Sequence, residues 1–309
     1  MMNLTLKQLR YFEALAKYGH FGRAAAACSI SQPALSVQVK ELEETVGAQL
    51  FERGARQVRL TPFGEEFAPR VREILHSVDE LGDLARASGD HLAGRLRVGV
   101  IPTIAPYLLP RLISTLSQKH IELDIHIRET LTPRLLEELR DGRLDTAIVA
   151  LPVSEPSLTE IALFSENFVL VRRRADANKP VPDGEALREM RLLLLEEGHC
   201  FRDQALAFCN INTNLPLEGL DATSLTTLVQ MVSSGIGVTL IPEMALTVET
   251  QMADVSIARF AAPQPERTVG MVWRKKSPLA PQLMQMSEVV REAAIALRSE
   301  INAAGSAAQ

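Results

Sequence analysis

The sequence predicts a three-part chain: a small N-terminal all-α domain with a wing, one long linker helix, and a two-lobed α/β domain. Three observations predict it. Three short helical patterns with a tight turn before the last crowd in ahead of Gly47. One polar–apolar helical pattern runs from Pro62 to about Asp90. After RLRVGVIP, strand-like and helix-like runs alternate almost to the end of the chain.

The first helix is LKQLRYFEALAKY, with Leu6, Leu9, Phe12, Ala14, Leu15 and Tyr18 at helical spacing. HFGRAAAACSIS reads as a short alanine-rich helix. SQPALSVQVKELEETVG opens with Ser31 as N-cap and Pro33 in the first turn, and stops at Gly47. Leu35, Val39, Leu42 and Val46 form its apolar stripe. This is the outline of a helix-turn-helix. AQLFERGARQVRLTPFG, turning at Gly54 between two short extended pieces, reads as a wing. The domain then spans residues 1–62.

In the linker, residues 63–92, Phe67, Val71, Ile74, Leu75, Val78, Leu81 and Leu84 repeat at threes and fours. Such a helix, lacking a partner in its own sequence, pairs with a copy of itself. Residues 93–309 follow. RLRVGVI, IELDIHIRE and DTAIVAL are strands separated by the helices APYLLPRLISTLSQ and RLLEELRDG, a βαβαβ pattern that implies a mostly parallel sheet. ENFVLVRR, RLLLLEE, LPLEGLD and GVTLIP form a second set of strands, with helices at CFRDQALAFC and SLTTLVQMVSSG. TVGMVWR is a further strand and PQLMQMSEVVREAAIALRSEI a closing helix; the tail NAAGSAAQ is expected to fray. The first lobe takes residues 93–164 and 268–300, the second 165–267. The expected ligand site is the cleft between them.

Composition narrows the function classes. The N-terminus lacks a secretory signal pattern and no apolar run is long enough for a bilayer, so a cytoplasmic protein without membrane contact is expected. Net charge is −5, against a chain-wide nucleic-acid surface. Yet residues 1–62 carry +3 and the remainder −8, the sign expected of a DNA-binding head on an acidic body. On the third helix Ser31, Gln32, Ser36, Gln38 and Lys40 suit base and phosphate contact. Arg53, Arg56 and Arg59 in the wing suit phosphate or the minor groove. The same residues also fit a plain three-helix unit with a solvated polar face.

There are three cysteines, Cys28, Cys200 and Cys209, too few for a secreted disulfide framework. Two of them lie nine positions apart in GHCFRDQALAFC. A helix across that span separates their Cα atoms by roughly 13 Å, at about 1.5 Å per residue. A disulfide needs less than about 7 Å. Helix and bridge therefore exclude each other, which is what a bistable element requires. His199 and Arg202 flank Cys200, and the helix start favours an anion there. Cys209 has Phe208 beside it and no neighbouring charge in sequence, as a buried partner would. The alternative is two structural cysteines packed as small hydrophobes. Cys28 reads as packing. One Cys-x8-Cys plus a histidine matches no zinc spacing, so no metal and no cofactor are expected.

FGRAAAACSISQPALSVQVKELEETVGAQLFERGARQVRLTPFG, without a gap, resembles the winged helix-turn-helix of LysR-type transcriptional regulators. The resemblance implies major-groove contact by Gln32, Pro33, Ser36 and Val37 and phosphate or minor-groove contact by Arg53 and Arg56. It also implies a C-terminal effector domain like the periplasmic binding proteins. LLEEGHCFRDQALAFC, ATSLTTLVQMVSSGIGVTLIP, IPTIAPYLLP and RTVGMVWR are similar to the peroxide-sensing members of that family. That similarity implies Cys200 as the cysteine attacked by hydrogen peroxide and Cys209 as its resolving partner. It places Thr103, Thr132, His199, Asp203 and Arg267 around the peroxide. It further implies a homotetramer on double-stranded DNA, contact with RNA polymerase and no enzymatic turnover. From the residues alone, Thr103 also reads as a helix N-cap and Arg267 as a surface strand residue. Two other readings stay open: a LysR-type regulator with a small organic effector in the cleft and inert cysteines, and a thiol peroxidase or Cys–His hydrolase. The loop NINTNLPLEGL departs in composition from the peroxide-sensing members.

Overall fold

The computed structural model describes residues 4–53, 58–87, 92–209 and 221–307. The chain divides into two compact units, residues 1–85 and 86–309.

The first unit holds α1 (Leu6–Tyr18), α2 (Phe21–Ala27), α3 (Gln32–Val46), β1 (Phe51–Arg53), β2 (Val58–Leu60) and most of α4 (Pro62–Ala87). Thr5 opens α1 with a capping box: its hydroxyl accepts from the Gln8 N–H, and the Gln8 side chain accepts from the Thr5 N–H. The helix ends at Gly19, whose φ of +59° suits glycine. The Gly19 carbonyl then accepts from the Val58 N–H at 3.0 Å, pinning β2 to the end of α1. β1 and β2 form the antiparallel wing, Phe51 opposite Leu60. Phe12 packs on Phe51 and Phe67 at centroid distances of 5.2 and 5.3 Å, inside a core that includes Leu9, Leu15, Leu35, Val39 and Leu42. A Cβ on Gly64 would lie 2.2 Å from the Leu50 carbonyl oxygen, so only glycine lets α4 start this close to β1. Ala68, Val71 and Leu75 join α4 to the same core.

The second unit is a two-lobed α/β domain. Its elements are β3 (Gly94–Val100), α5 (Ala105–Lys119), β4 (Leu123–Glu129), α6 (Thr132–Arg140), β5 (Thr146–Leu151) and β6 (Leu158–Arg173). Then come α7 (Gly184–Glu189), β7 (Leu194–Leu195), α8 (Cys200–Phe208), β8 (Asp221–Ala222), α9 (Leu225–Ser233) and β9 (Thr239–Pro242). The chain closes with α10 (Leu246–Glu249), β10 (Val255–Arg259), β11 (Glu266–Arg274) and α11 (Ala280–Ala307). Seven strands join in the order β10-β6-β11-β5-β3-β4, with β9 also on β6.

β3 runs parallel to β4 and β5, as the βαβαβ pattern predicts. Elsewhere in this sheet the pairing is antiparallel, because β11 returns in the opposite direction and inserts between β5 and β6. β6 is twice the length that ENFVLVRR suggests. Its first part, Leu158–Asn167, pairs with β11, and its last, Phe168–Arg173, pairs with β9 and β10. One strand thus serves both lobes, and the residues at its changeover, Glu166 among them, lie where the lobes meet.

Other expectations need correction. NAAGSA does not fray: α11 continues through it to Ala307, helped by its alanines. RLLLLEE yields only the two-residue β7, paired parallel with β8. β10, α7 and α10 had no strong pattern in sequence. Most of LPLEGLD, and the NINTNLPLEGL loop up to residue 220, lie outside the described residues. Among the described residues no helix is long and apolar enough to cross a membrane.

Candidate functional site

Three strand-to-helix junctions of the second unit converge. The chain leaving β3 supplies Ile101, Pro102 and Thr103; the chain leaving β4 supplies Leu131 and Thr132; the chain after β7 supplies Gly198, His199 and Cys200. These eight residues line a small, tight crevice. Such crevices at the carboxyl ends of parallel strands are ordinary ligand sites in α/β folds.

Cys200 is the first residue of α8 and is half-buried. Its place at the start of the helix is where backbone N–H groups lack intrahelical partners, and only the thiolate form of a cysteine is the nucleophile. His199 is the N-cap, without a side-chain cap bond, and only 6% exposed. Burial holds its imidazole below the ordinary histidine range, with Glu196 pulling the other way, so it is neutral at neutral pH. Gly198 has φ +93°, and a Cβ there would stand 3.0 Å from Leu131 Cδ1. Glycine is needed both for that backbone and for the pocket to stay open.

Thr132 Oγ1 is buried and has no hydrogen-bond partner among the described residues. A hydroxyl left this way beside a thiol can bond to a small polar ligand or a water. Thr103 is 3% exposed. It is not a helix cap: Ile104 holds that position for α5 without a side-chain bond. Its Oγ1 accepts from Arg267 Nη1 at 2.8 Å and its carbonyl from Nη2 at 2.9 Å. Arg267 is no surface residue either. It is 2% exposed, on β11, paired with Glu166 at 2.7 Å, and its guanidinium lies 5.6 Å from the Phe201 ring centre. It backs the pocket through Thr103 and is not itself a lining residue.

Asp203 does not join this group. It is exposed and does not line the pocket. Gln204 stands one helical turn after Cys200, and its Oε1 is buried without a partner among the described residues. Arg202 is also not a free charge beside the thiol. It donates to the Leu195 carbonyl at 2.7 Å and to Asp221 at 2.8 Å, tying α8 to β7 and β8.

Cys209 caps the other end of α8 and is fully buried. Burial pushes its thiol up to about 11, with Arg188 acting in the opposite direction. That arginine comes from α7, a charge near Cys209 that the local sequence does not show. All three cysteines are free, and the helical stretch between Cys200 and Cys209 keeps their Cα atoms roughly 13 Å apart by the helical rise.

A wider pocket of about 120 Å³ shares Pro102, Thr103 and His199 with the thiol pocket and extends to Tyr107, Glu129, Ser224 and Glu249. Tyr107 donates to Glu249 at 2.6 Å across it. Among the described residues no group of three or more His, Cys, Asp or Glu is placed to hold a metal ion.

In the first unit, Ser31 caps α3, accepting from the Ala34 N–H at 3.4 Å. Gln32, Pro33, Val37 and Lys40 are exposed along α3, and Ser36 is half-buried. Val37 is 54% exposed. Lys40 reaches Glu44 at 3.6 Å. Arg59 is exposed on β2 and Arg53 ends β1; Arg56 lies outside the described residues.

Two families match this chain. The LysR substrate binding domain covers residues 89–295, and the bacterial regulatory helix-turn-helix of the lysR family covers residues 6–65. The chain belongs to the LysR family. This LysR-family chain is 42% identical over 294 residues to a protein of Streptomyces viridosporus described as a probable hydrogen peroxide-inducible genes activator, covering 94% of each. It is 38% identical over 290 residues to the DNA-binding transcriptional dual regulator OxyR of Escherichia coli K12, covering 93% of this chain and 95% of that one. Among solved structures, it resembles a full-length OxyR of Pseudomonas aeruginosa carrying a cysteine-to-aspartate substitution. The TM-score is 0.76 at 38% identity, over 94% of this chain and 96% of that one. An OxyR of Corynebacterium glutamicum with a cysteine-to-serine substitution and hydrogen peroxide bound matches with a TM-score of 0.69 at 35% identity, over 99% and 97%.

Proposed function

We propose that this LysR-family protein is a hydrogen-peroxide-sensing transcriptional regulator, with Cys200 as the reacting thiol and Cys209 as its resolving partner. One observation carries the reading: a half-buried thiol at a helix start shares a small pocket with the unpartnered Thr132 hydroxyl and with Thr103. The likeness to hydrogen peroxide-inducible activators supports it.

The chemistry follows from the geometry. The Cys200 thiolate attacks one peroxide oxygen, and the O–O bond breaks. Sulfur loses two electrons and becomes a sulfenic acid. The other oxygen leaves as hydroxide and takes a proton to become water. Hydrogen peroxide has two hydroxyls, each a donor and an acceptor, and the threonine hydroxyls can meet both roles. A donor at the leaving oxygen stabilises the charge developing there. The neutral His199 imidazole can hold or pass a proton. The sulfenic acid then condenses with the Cys209 thiol, forming the S–S bond and releasing a second water.

That second step cannot occur with α8 intact, because the thiols are two and a half turns apart. Bridging unwinds α8 and repacks what it touches. In this reading the change passes to effector-domain contacts in a homotetramer and alters the spacing of the DNA-binding heads on double-stranded operators. Gln32, Pro33, Ser36, Val37 and Lys40 read the major groove, while Ser31, Arg53 and Arg56 serve the backbone or minor groove. The protein acts in the cytoplasm, engages RNA polymerase, and undergoes one switching event rather than sustained turnover.

The test is thiol alkylation and intact-protein mass spectrometry before and after a stoichiometric dose of peroxide. Fast loss of two alkylatable thiols, mapped to one Cys200–Cys209 peptide, is expected, together with no response in Cys200→Ser. Thiols that stay free, or oxidise slowly and at random, return the search to an organic effector in the wider pocket.

A further inference from the structure

The direction of the Thr103 hydroxyl is set from behind. Arg267 Nη1 donates to Thr103 Oγ1 at 2.8 Å, which occupies one of its lone pairs. An oxygen accepting from a cation keeps its own proton for another partner. Among the described residues, Thr103 Oγ1 donates to no acceptor. Thr103 lines the thiol pocket and also the wider pocket beside it. The hydroxyl is therefore polarised by a cation and free to donate toward the space beside Cys200.

Arg267 is in turn held by one carboxylate. Its Nε donates to Glu166 Oε1 at 2.8 Å, and Nη2 lies 2.7 Å from the same oxygen. The second Glu166 oxygen accepts from the Met244 N–H at 3.0 Å, which fixes the carboxylate. The Arg267 side chain is 0% exposed and that of Glu166 7%. Phe201, the residue after Cys200, packs against the guanidinium. Burying two charges carries a desolvation cost that apolar residues of similar size avoid. Here the pair does something apolar residues cannot: its far end terminates on a hydroxyl in the reactive pocket.

We propose that Glu166 is a positioning residue for peroxide reduction: it aims Arg267 so that the Thr103 hydroxyl donates to the leaving oxygen. The inference rests on the peroxide reading of Cys200. Glu166 makes no contact with the ligand, and the balance of the step is unchanged. Without the carboxylate the guanidinium loses its anchor, and Thr103 loses the partner that leaves its proton free for the pocket.

The test compares rates of Cys200 oxidation by hydrogen peroxide in the full chain, in a Cys209→Ser background so that sulfenic acid is the product read. Glu166→Gln is expected to slow oxidation roughly tenfold or more, as for loss of an aligned donor. Alkylation of Cys200 by iodoacetamide, which needs no donor at a leaving hydroxide, is expected to stay within about twofold. The deciding readout is coupling. If Glu166 acts through Thr103, adding Glu166→Gln to Thr103→Val slows oxidation by less than about a further twofold. Glu166→Asp retains the charge but withdraws it by one methylene. It gives the same comparison should the glutamine variant fail to fold. A Glu166 variant that oxidises at the wild-type rate, or that loses as much again on top of Thr103→Val, overturns the inference alone. A wild-type chain whose Cys200 stays reduced overturns the peroxide reading and the inference together.

Discussion

Cys200 and Cys209 are the same side chain in two environments at the two ends of one short helix. Cys200 is half-buried at a helix start; Cys209 is fully buried, its thiol pushed up to about 11. Only a thiolate attacks, so the two differ in reactivity before any peroxide arrives. In the native protein at neutral pH, N-ethylmaleimide is expected to label Cys200 at least about a hundredfold faster than Cys209. Peptide mapping after timed quenching checks this; equal labelling contradicts the burial argument. The raised Cys209 value also has a stability sign. Its contribution is fully present below the ordinary value of 9.0 and is lost as pH rises through about 11. His199 acts in acid. Its folded-state value lies below the ordinary 6.5, so the unfolded chain takes up the proton more readily and stability falls as pH drops through that range. His199→Asn is expected to flatten the thermal midpoint between about pH 5 and pH 7; an unchanged slope assigns the acid sensitivity to other groups. Thr132, His199 and Cys200 lie at helix starts and Thr103 just before one, but the residues alone read Thr103 as a helix cap, and it was the resemblance to the peroxide-sensing members that singled out the two threonines. Gln204 was overlooked although it is one turn from Cys200. Glu166 was not legible at all, because its partner Arg267 lies 101 positions away and only the sheet brings them together.

At the scale of elements, α8 is held at its front by an aromatic pair and an ion pair and at its rear by a second aromatic pair. In front, Phe201 packs edge-to-face on Phe168 at 4.8 Å, and Arg202 ties to β7 and β8. Behind, the half-buried Phe208 packs on Phe260 at 5.0 Å, next to Cys209. Peroxide attack needs the front in place, and disulfide closure needs the rear to open. The two steps are therefore separable by mutation. Phe208→Ala removes an aromatic pair worth about 0.5–1.5 kcal/mol beyond its buried area. It is expected to speed disulfide closure several-fold while leaving the rate of sulfenic acid formation within about twofold. Rapid-quench alkylation resolves the two phases, and closure that slows or stays constant removes the rear of α8 from the switch. Phe201→Ala is expected to do the opposite, costing about 3–5 kcal/mol of stability and disturbing the pocket itself; a thermal melt with peroxide kinetics tests it. The long elements were legible because many turns repeat the same apolar spacing. β7 and β8 were not, since two residues carry no period. The full length of β6 was missed because its first half alternates less clearly than ENFVLVRR.

For the whole molecule, α4 is the element that the sequence assigned to neither domain. Ala68, Val71 and Leu75 bury one stripe of it against the helix-turn-helix core. Its later apolar residues face outward: Ile74 is 45% exposed, Leu81 65% and Leu84 57%. These three positions stand seven and three apart, the spacing of a coiled-coil seam. No described residue buries them, and we propose that apolar side chains at this spacing pair with a second copy of the chain. Residues 1–62 carry +3 in an otherwise acidic chain, so the hold of the helix-turn-helix on DNA depends on salt and on how many heads bind together. Both points lead to one experiment. Leu81→Glu with Leu84→Glu places like charges across the seam and is expected to convert dimers to monomers at micromolar concentration in light scattering. Cys200 oxidation is expected to be unchanged, because these residues lie outside the second unit. Affinity for an operator with two half-sites is expected to fall by about 10²–10⁴, the avidity lost when the heads are unlinked, while affinity for a single half-site stays level. If the double variant remains dimeric and keeps its operator affinity, the seam along α4 is not what joins the heads. The coupling from peroxide to DNA must then run through contacts between the second units alone.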